Sequence, residues 1–301
     1  MLEQLLSGYV IFSFAFILIY IALALMLHVQ SSVTGIVNFG IVGFWGIGMY
    51  AVALLNLKLG IPYVIAVVLA VLITGAVAWV LGKIILDLDG QAVLVGTLAF
   101  ATVVEHLSTS EKWLTNGVQG LGFIEYPFDF GQMTLAVFFL IMLAVTVVLF
   151  IYVKRMKAAP YGRLLLSISD NELLAKSLGK KTSQQKLTLF VVSSMVIGLF
   201  GCFAAPIYNY IFPRMITSSV TFTVWIALLL GGRKHIYGAI VGVLATYGLF
   251  DFVVETMMPI PTEYADVVPN IKFFLYGLML MVVLMFRPLG VLGVEKRGEE
   301  Q

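Results

Sequence analysis

Two adjoining stretches set the reading of this chain: QMTLAVFFLIMLAVTVVLFIYV at residues 132–153 and KRMKAAPYGRLLLSISDNELLAKSLGKKTSQQK at residues 154–186. The first is 22 residues without a charged side chain, and a helix needs about 20 apolar residues to cross the hydrocarbon core of a bilayer. The second is polar and carries eight lysines and arginines. It also contains the signals of a short helix over 170–178. Ser169 stands as an N-cap with Glu172 three residues on, the S-x-x-E capping box. Asp170 and Glu172 lie at the end of that helix where its dipole favours negative charge, and Lys176 lies toward the other end. Gly179 follows as a C-terminal stop. Leu173, Leu174 and Leu178 fall close to one face. A plain connection between two spans needs no capped helix with an apolar stripe; one that presses on a soluble partner does.

Working outward, the same apolar character recurs along all 301 residues. The chain is 61% hydrophobic and 11% charged, against roughly 25% charged in a soluble domain. Apolar runs at 9–28, 35–56, 62–82, 91–107, 132–153, 187–210, 220–232, 236–256 and 270–286 predict an all-α polytopic membrane protein of about nine segments, in the range 8–10. The runs are long and do not alternate, so a barrel of short strands is not indicated. The seventh run is short and the second is rich in glycine, so both are candidates for a broken or re-entrant segment. If nine spans alternate, fourteen of the eighteen basic residues fall on one side, including Lys83, the eight of 154–186, Arg233, Lys234, Arg287, Lys296 and Arg297. The positive-inside bias makes that side cytoplasmic and places the N-terminus outside. The loops 108–131 and 257–269 then face outward, and residues 1–301 form a single transmembrane domain. The N-terminal MLEQLLSGYV lacks a basic leader region, so the first apolar run reads as a retained span rather than a signal peptide.

Within the membrane, VTGIVNFGIVGFWGIGMY at 33–50 stands out, with five glycines and polar Thr34 and Asn38. Glycine permits close helix approach or unwinding, and unwound backbone at membrane depth is tolerated where it is buried in protein or lines a cavity. Two readings stay open here: tight packing with Asn38 bonded to a neighbouring helix, or the lining of a solute path. Glu105 and His106 end the fourth run and Asp251 and Glu255 an outer helix end, where solvated interface positions are expected. His28 reads as an interface residue at the inner end of the first span. Gly231-Gly232 before Arg233-Lys234-His235 reads as a tight inner turn, and Arg287-Pro288 as the stop of the last span. The lone Cys202 lies in an apolar run and reads as a packed side chain. Enzymatic chemistry finds no vehicle: a phosphate loop, H-E-x-x-H, G-x-S-x-G and a His/Cys metal cluster are all missing from the sequence. A net charge of +2 is too small to suggest nucleic acid.

Seven groups of residues then line up in one order: Thr34–Gly40 with Phe44–Tyr50, Thr97–Val104, Thr115–Leu121, Tyr161–Arg163 through Ile168–Glu172 and Ala175–Gly179, Leu229–Gly232, Tyr237–Gly242, and Phe286–Gly293. This ordered set resembles the permease subunits of branched-chain amino acid type ABC importers, closest to the LivM-like half of the LivH/LivM pair, and it covers most of the chain. Ser169, Arg233-Lys234-His235 and Asn116-Gly117 depart from residues common in that family. The resemblance implies a transport subunit without an ATPase site of its own, in the inner membrane of a bacterium or the plasma membrane of an archaeon. It implies a LivH-like second permease, two cytoplasmic ATPase subunits that bind the ATP and magnesium, and an extracytoplasmic solute-binding protein. No cofactor is expected on this chain. The cytoplasmic helix would be the ATPase-coupling helix, carried by Ser169, Asp170, Asn171, Glu172, Leu174, Ala175, Leu178 and Gly179. Thr34, Gly35, Asn38, Gly40 and Thr97 are the expected path residues, and Asn116, Gly117 and Gly120 the expected outer-loop contact. The implied cargo is a branched-chain or other amino acid, with urea or a short amide as the alternative. An ion-coupled secondary transporter is the competing class, and it would need ionisable groups deep in the spans.

Overall fold

The computed structural model of the chain describes residues 2–124, 126–251 and 268–293. Its helices are α1 (Leu2–His28), α2 (Ile41–Leu57), α3 (Tyr63–Ile85), α4 (Gly90–Ser110), α5 (Lys112–Thr115), α6 (Thr134–Ala158), α7 (Pro160–Asp170), α8 (Glu172–Ser177), α9 (Thr182–Tyr208), α10 (Ser218–Gly231), α11 (Ile236–Val243) and α12 (Val268–Phe286). Strand β1 (Leu121–Gly122) pairs antiparallel with β2 (Tyr210–Ile211), Leu121 opposite Ile211.

Among the described residues, six helices are long and apolar enough to cross a membrane: Val10–Val33, Tyr63–Ile85, Gly90–Ser110, Thr134–Ala158, Thr182–Tyr208 and Pro213–Gly231. Three shorter apolar helices, Ile41–Leu57, Ile236–Gly248 and Phe274–Phe286, overlap the other three predicted runs. The expected span at 35–56 starts late, because residues 34–40 are unwound. The run expected to be short at 220–232 is lengthened at its start by a 3₁₀ turn at Pro213–Ile216. After Val243 the backbone widens into a π turn over Leu244–Asp251. The Asp251 side chain, Glu255 and nearly all of the expected outer loop 257–269 lie outside the described residues.

Burial separates the helices by role. The α1 and α9 spans are mainly buried inside the protein, whereas α3, α4 and α6 turn most of their surface outward. The outward surface is apolar, with Val68, Leu72 and Val80 on α3 and Leu140 and Val148 on α6 exposed. Surface of that composition and extent is not tolerated by a soluble monomer; it fits lipid as the solvent.

The interior is held by close helix approach rather than by large side chains alone. Helix α9 packs most extensively on α2 and α3. At the α2–α9 crossing, a Cβ placed on Gly48 would overlap the carbonyl of Gly198, and one on Gly201 would overlap the carbonyl of Trp45. Both obstacles are backbone, so no rotamer change relieves them. Gly48→Ala is therefore expected to force the two helices apart and cost about 3 kcal/mol, the upper part of the range for overpacking. Gly277→Ala, where a Cβ meets nothing within 4 Å, should leave the thermal unfolding midpoint in detergent unchanged. Equal midpoints for the two variants would remove close packing as the reason for glycine at 48.

Candidate functional site at the basic end of the bundle

The C-terminal ends of α1, α6 and α10 gather at one end of the bundle. His28 meets the Arg233 carbonyl and Lys157 there. The opposite end carries the outer loop, where Lys58 reaches the Trp113 carbonyl at 2.6 Å and the β1–β2 pair closes.

At the basic end, the predicted helix exists but starts two residues later than its capping box suggests. Helix α7 runs through Ser169 to Asp170, because Leu165 and Ile168, three residues apart, are both buried and carry the helical register that far. Asn171 then turns extended, and its side-chain oxygen accepts from the Leu174 amide at 3.0 Å. Asn171, not Ser169, is the N-cap. Glu172 does not fold back on the cap. Its carboxylate pairs with Lys176 at 3.1 Å, with Lys186 on α9, and with the Thr182 hydroxyl at 3.2 Å. Partial burial works to raise the pKa of that carboxyl, but the hydrogen bonds from Lys186 and Lys176 outweigh it and hold it below the usual carboxylate range. The stop falls where expected. Gly179 takes φ +75°, its amide reaches the Lys176 carbonyl at 2.9 Å and the Lys180 amide reaches Ala175 at 3.1 Å, a Schellman closure.

Helix α8 is thus fixed at both ends and clamped to α9. Ala175 is the one buried residue of α8, at 5% exposure, while Leu173, Leu174 and Leu178 are 80%, 58% and 70% exposed. The rigid helix offers three leucines beyond the body of the protein. Beside it, Gly35, Asp87, Asp89, Glu172, Lys176 and Lys186 contribute to the wall of a cavity of about 320 Å³.

The unwound segment 34–40 lies just above. Four of the five expected path residues lie in it, the fifth, Thr97 of α4, packs against Phe39 and Gly40, and side chains from neighbouring helices satisfy its backbone. A π turn at Val29–Val33 ends α1, and the Gln30 carbonyl accepts from the Thr34 hydroxyl at 2.7 Å and the Ile36 amide at 2.9 Å. The Gln30 side chain bridges Asn38, whose amide group donates at 2.9 Å, and Ser193 on α9 at 2.6 Å. The Asn38 side-chain oxygen accepts from the Gly40 amide at 2.7 Å, and the Asn38 carbonyl from the Trp225 indole at 3.0 Å. The Thr97 hydroxyl accepts the Phe39 amide at 2.9 Å and donates to the Leu94 carbonyl. Phe39 stacks on Trp225 with centroids 5.0 Å apart. Thr34, Asn38 and Thr97 are buried, as are Gln30 and Ser193. Gly35 alone of the five is exposed; it has φ +74° and sits against Ser169 of α7. Gln30, Ser193 and Trp225 were not singled out from the sequence, and nothing local marks them: their partners lie up to 187 residues away.

In the outer loop, Asn116 and Gly117 both adopt left-handed backbone, and so does Gly120. Gly117 and Gly120 are buried, the latter beneath the Ile211 carbonyl, and Asn116 is exposed. Glu105 is half-buried and His106 exposed, as an interface position requires. His28 differs from expectation. It is fully buried, because its two ring nitrogens are taken by the Arg233 carbonyl at 2.8 Å and Lys157 at 3.1 Å. Cys202 is buried with its thiol on the Gly48 carbonyl.

Long apolar helices, an unwound segment buried among them and a rigid apolar helix at the basic end define a multi-pass membrane protein of transporter type. Residues 9–284 match the family described as branched-chain amino acid transport system / permease component, and the chain belongs to it. It is similar to the high-affinity branched-chain amino acid transport system permease protein LivM of Salmonella typhimurium and to that of Escherichia coli K12. Identity to each is 26% over 300 residues, covering 91% of this chain and 68% of the relative. The probable LivM of Methanocaldococcus jannaschii is 21% identical, with 91% of this chain and 90% of the relative covered. No solved structure matches the chain.

Proposed function

We propose that this chain is a membrane-spanning permease subunit of an ABC importer that carries branched-chain or other small amino acids into the cell. ATP, with magnesium, is hydrolysed on two separate cytoplasmic subunits, and this chain binds no cofactor. A LivH-like permease completes the channel and an extracytoplasmic binding protein delivers the solute. The protein sits in the cell membrane with nine segments, the six long helices and the three shorter apolar ones. The basic end faces the cytoplasm.

The observation that carries this reading is α8, a capped and clamped helix with three exposed leucines at the basic end. A soluble subunit that closes on ATP binding can seat on those leucines and move α8 as a rigid body. Ser169 and Asp170, now at the end of α7, serve as the lead-in to that contact. Asn171, Glu172, Ala175 and Gly179 shape it, and Leu174 and Leu178 make it. Motion of α7 reaches the path through Gly35, which rests on Ser169. Thr34, Asn38, Gly40 and Thr97 hold the unwound segment in place beside the path. At the outer face, Asn116 is the residue presented to the binding protein, with Gly117 and Gly120 setting the turn.

The test is reconstitution in proteoliposomes with the partner permease, the ATPases and the binding protein. Leucine uptake is expected to require ATP on the ATPase side and the binding protein on the other, and to survive an ionophore. Uptake by the chain alone that collapses with an ionophore would overturn the importer reading in favour of ion coupling. Competition by urea or acetamide in place of leucine would move the cargo to short amides.

A further inference from the structure

A second cavity, of about 530 Å³, opens at the basic end between the end of α1, α6, α7, the α10–α11 turn and the end of α12. Lys157, Arg233 and Lys234 reach it from two separate elements, and Asp170 is the acid on its wall. None of the three forms an ion pair with a carboxylate of another described residue, Asp170 included, so three cations share one cavity wall without a carboxylate partner.

The surroundings fix two of these cations in place. A carbonyl can only accept, so the His28 Nδ1–H donates to Arg233 O at 2.8 Å. That leaves the His28 Nε2 lone pair for Lys157 Nζ, at 3.1 Å. A neutral histidine therefore positions the lysine without neutralising it. Arg233 Nη2 donates to the Ser31 carbonyl at 2.6 Å, which brings the guanidinium beside residue 31. Ser31 supplies the independent observation. It is fully buried, it is one of the residues bordering the cavity, and its hydroxyl has no hydrogen-bond partner in the protein. A buried hydroxyl left unpaired is costly, and like charges gathered on one wall, with Lys157 and Arg233 half-buried and Lys234 exposed, repel one another. An anion rich in acceptor oxygens would relieve both. On the far side, Leu284 and Leu289 give the cavity an apolar flank.

We propose that this cavity binds a phosphate-bearing anion, with Lys157, Arg233 and Lys234 supplying charge and the Ser31 hydroxyl a directed hydrogen bond. Basic pockets between membrane helices on the cytoplasmic side take anionic headgroups by this chemistry. The apolar flank suits the acyl chains of a phospholipid. The site shares the wall of α7, which leads directly into α8, so its occupancy bears on the element proposed to carry force.

The experiment uses the full chain, purified in neutral detergent and stripped of lipid, followed by thermal unfolding with three probes. These are inorganic phosphate, micelles doped with phosphatidylglycerol, and micelles doped with zwitterionic phosphatidylcholine. Stabilisation by phosphatidylglycerol alone is expected and identifies a lipid headgroup; stabilisation by inorganic phosphate as well identifies a site open to free anions. Lys157→Gln and Arg233→Gln should each weaken binding about fivefold. Ser31→Ala removes a hydroxyl that bonds to nothing in the protein, so it should fold normally and still bind several-fold more weakly. No stabilisation by phosphatidylglycerol or phosphate, an equal response to phosphatidylcholine, or undiminished binding in Ser31→Ala and Arg233→Gln together would each overturn the assignment.

Discussion

Leu174→Asp is expected to abolish ATP-driven uptake while the chain stays folded. Leu174 is 58% exposed and contributes its backbone amide, not its side chain, to the Asn171 cap. Aspartate keeps that amide, and an exposed substitution of this kind is worth within about 0.5 kcal/mol in stability. At a desolvated contact with an ATPase subunit, the same change costs on the order of 2 kcal/mol or more, roughly a thirtyfold loss of docking. Uptake and solute-stimulated ATP hydrolysis in proteoliposomes should fall together, with the unfolding midpoint unchanged. Normal coupled transport by Leu174→Asp would sink the docking role of α8. Ala175 offers a contrasting control. It is 5% exposed, so Ala175→Glu lifts the whole helix off the body and should lower the unfolding midpoint as well as uptake. Only the pattern of one variant that keeps its fold and one that loses it separates contact from scaffold.

What could be read in advance depended on how local the cause was. The long spans follow from run length and hydropathy, which are properties of contiguous residues, and among the described residues six of the nine apolar runs reappear as helices long and apolar enough to cross a membrane. Gly179 was legible as a stop because a left-handed position after a helix is a local demand. The start of α8 was not. Ser169 and Asn171 are both good caps two residues apart, and the choice is made by burial of Leu165 and Ile168, which draws α7 onward to Asp170. The break at 34–40 was visible in its glycines and Asn38, but its support was not. Gln30 sits in an ordinary VQSSV and matters through Ser193, 163 residues away. Arg233 was readable as an orienting charge, yet one arm of its guanidinium is held by the Ser31 carbonyl, 202 residues back. Residues 291–292 close the end of α10 by donating to Leu230 and Gly231, a pairing no window of sequence contains.

Asn38→Leu should be among the most destabilising single changes in the membrane region, and pairing it with Gln30→Leu tells packing from transport. The single change leaves the Gly40 amide and the Gln30 side-chain oxygen buried without partners. Each orphaned group costs about 1–3 kcal/mol, so the total expected is about 4 kcal/mol, read by chemical or thermal unfolding in detergent. Adding Gln30→Leu removes one of the two orphans, at the expense of the Ser193 contact. The hydroxyl of Ser193 keeps the Leu189 carbonyl at 2.7 Å, so it is not stranded. The double variant should therefore be no less stable than Asn38→Leu alone, a non-additivity that two independent sites would not give. Asn38 is fully buried with both side-chain polar atoms and its carbonyl engaged, which casts it as the brace of the unwound segment. Uptake is then expected to track stability across the unaltered chain and the two variants. Stability that recovers in the double variant while uptake stays lost would instead put the Asn38 amide in contact with the passing solute.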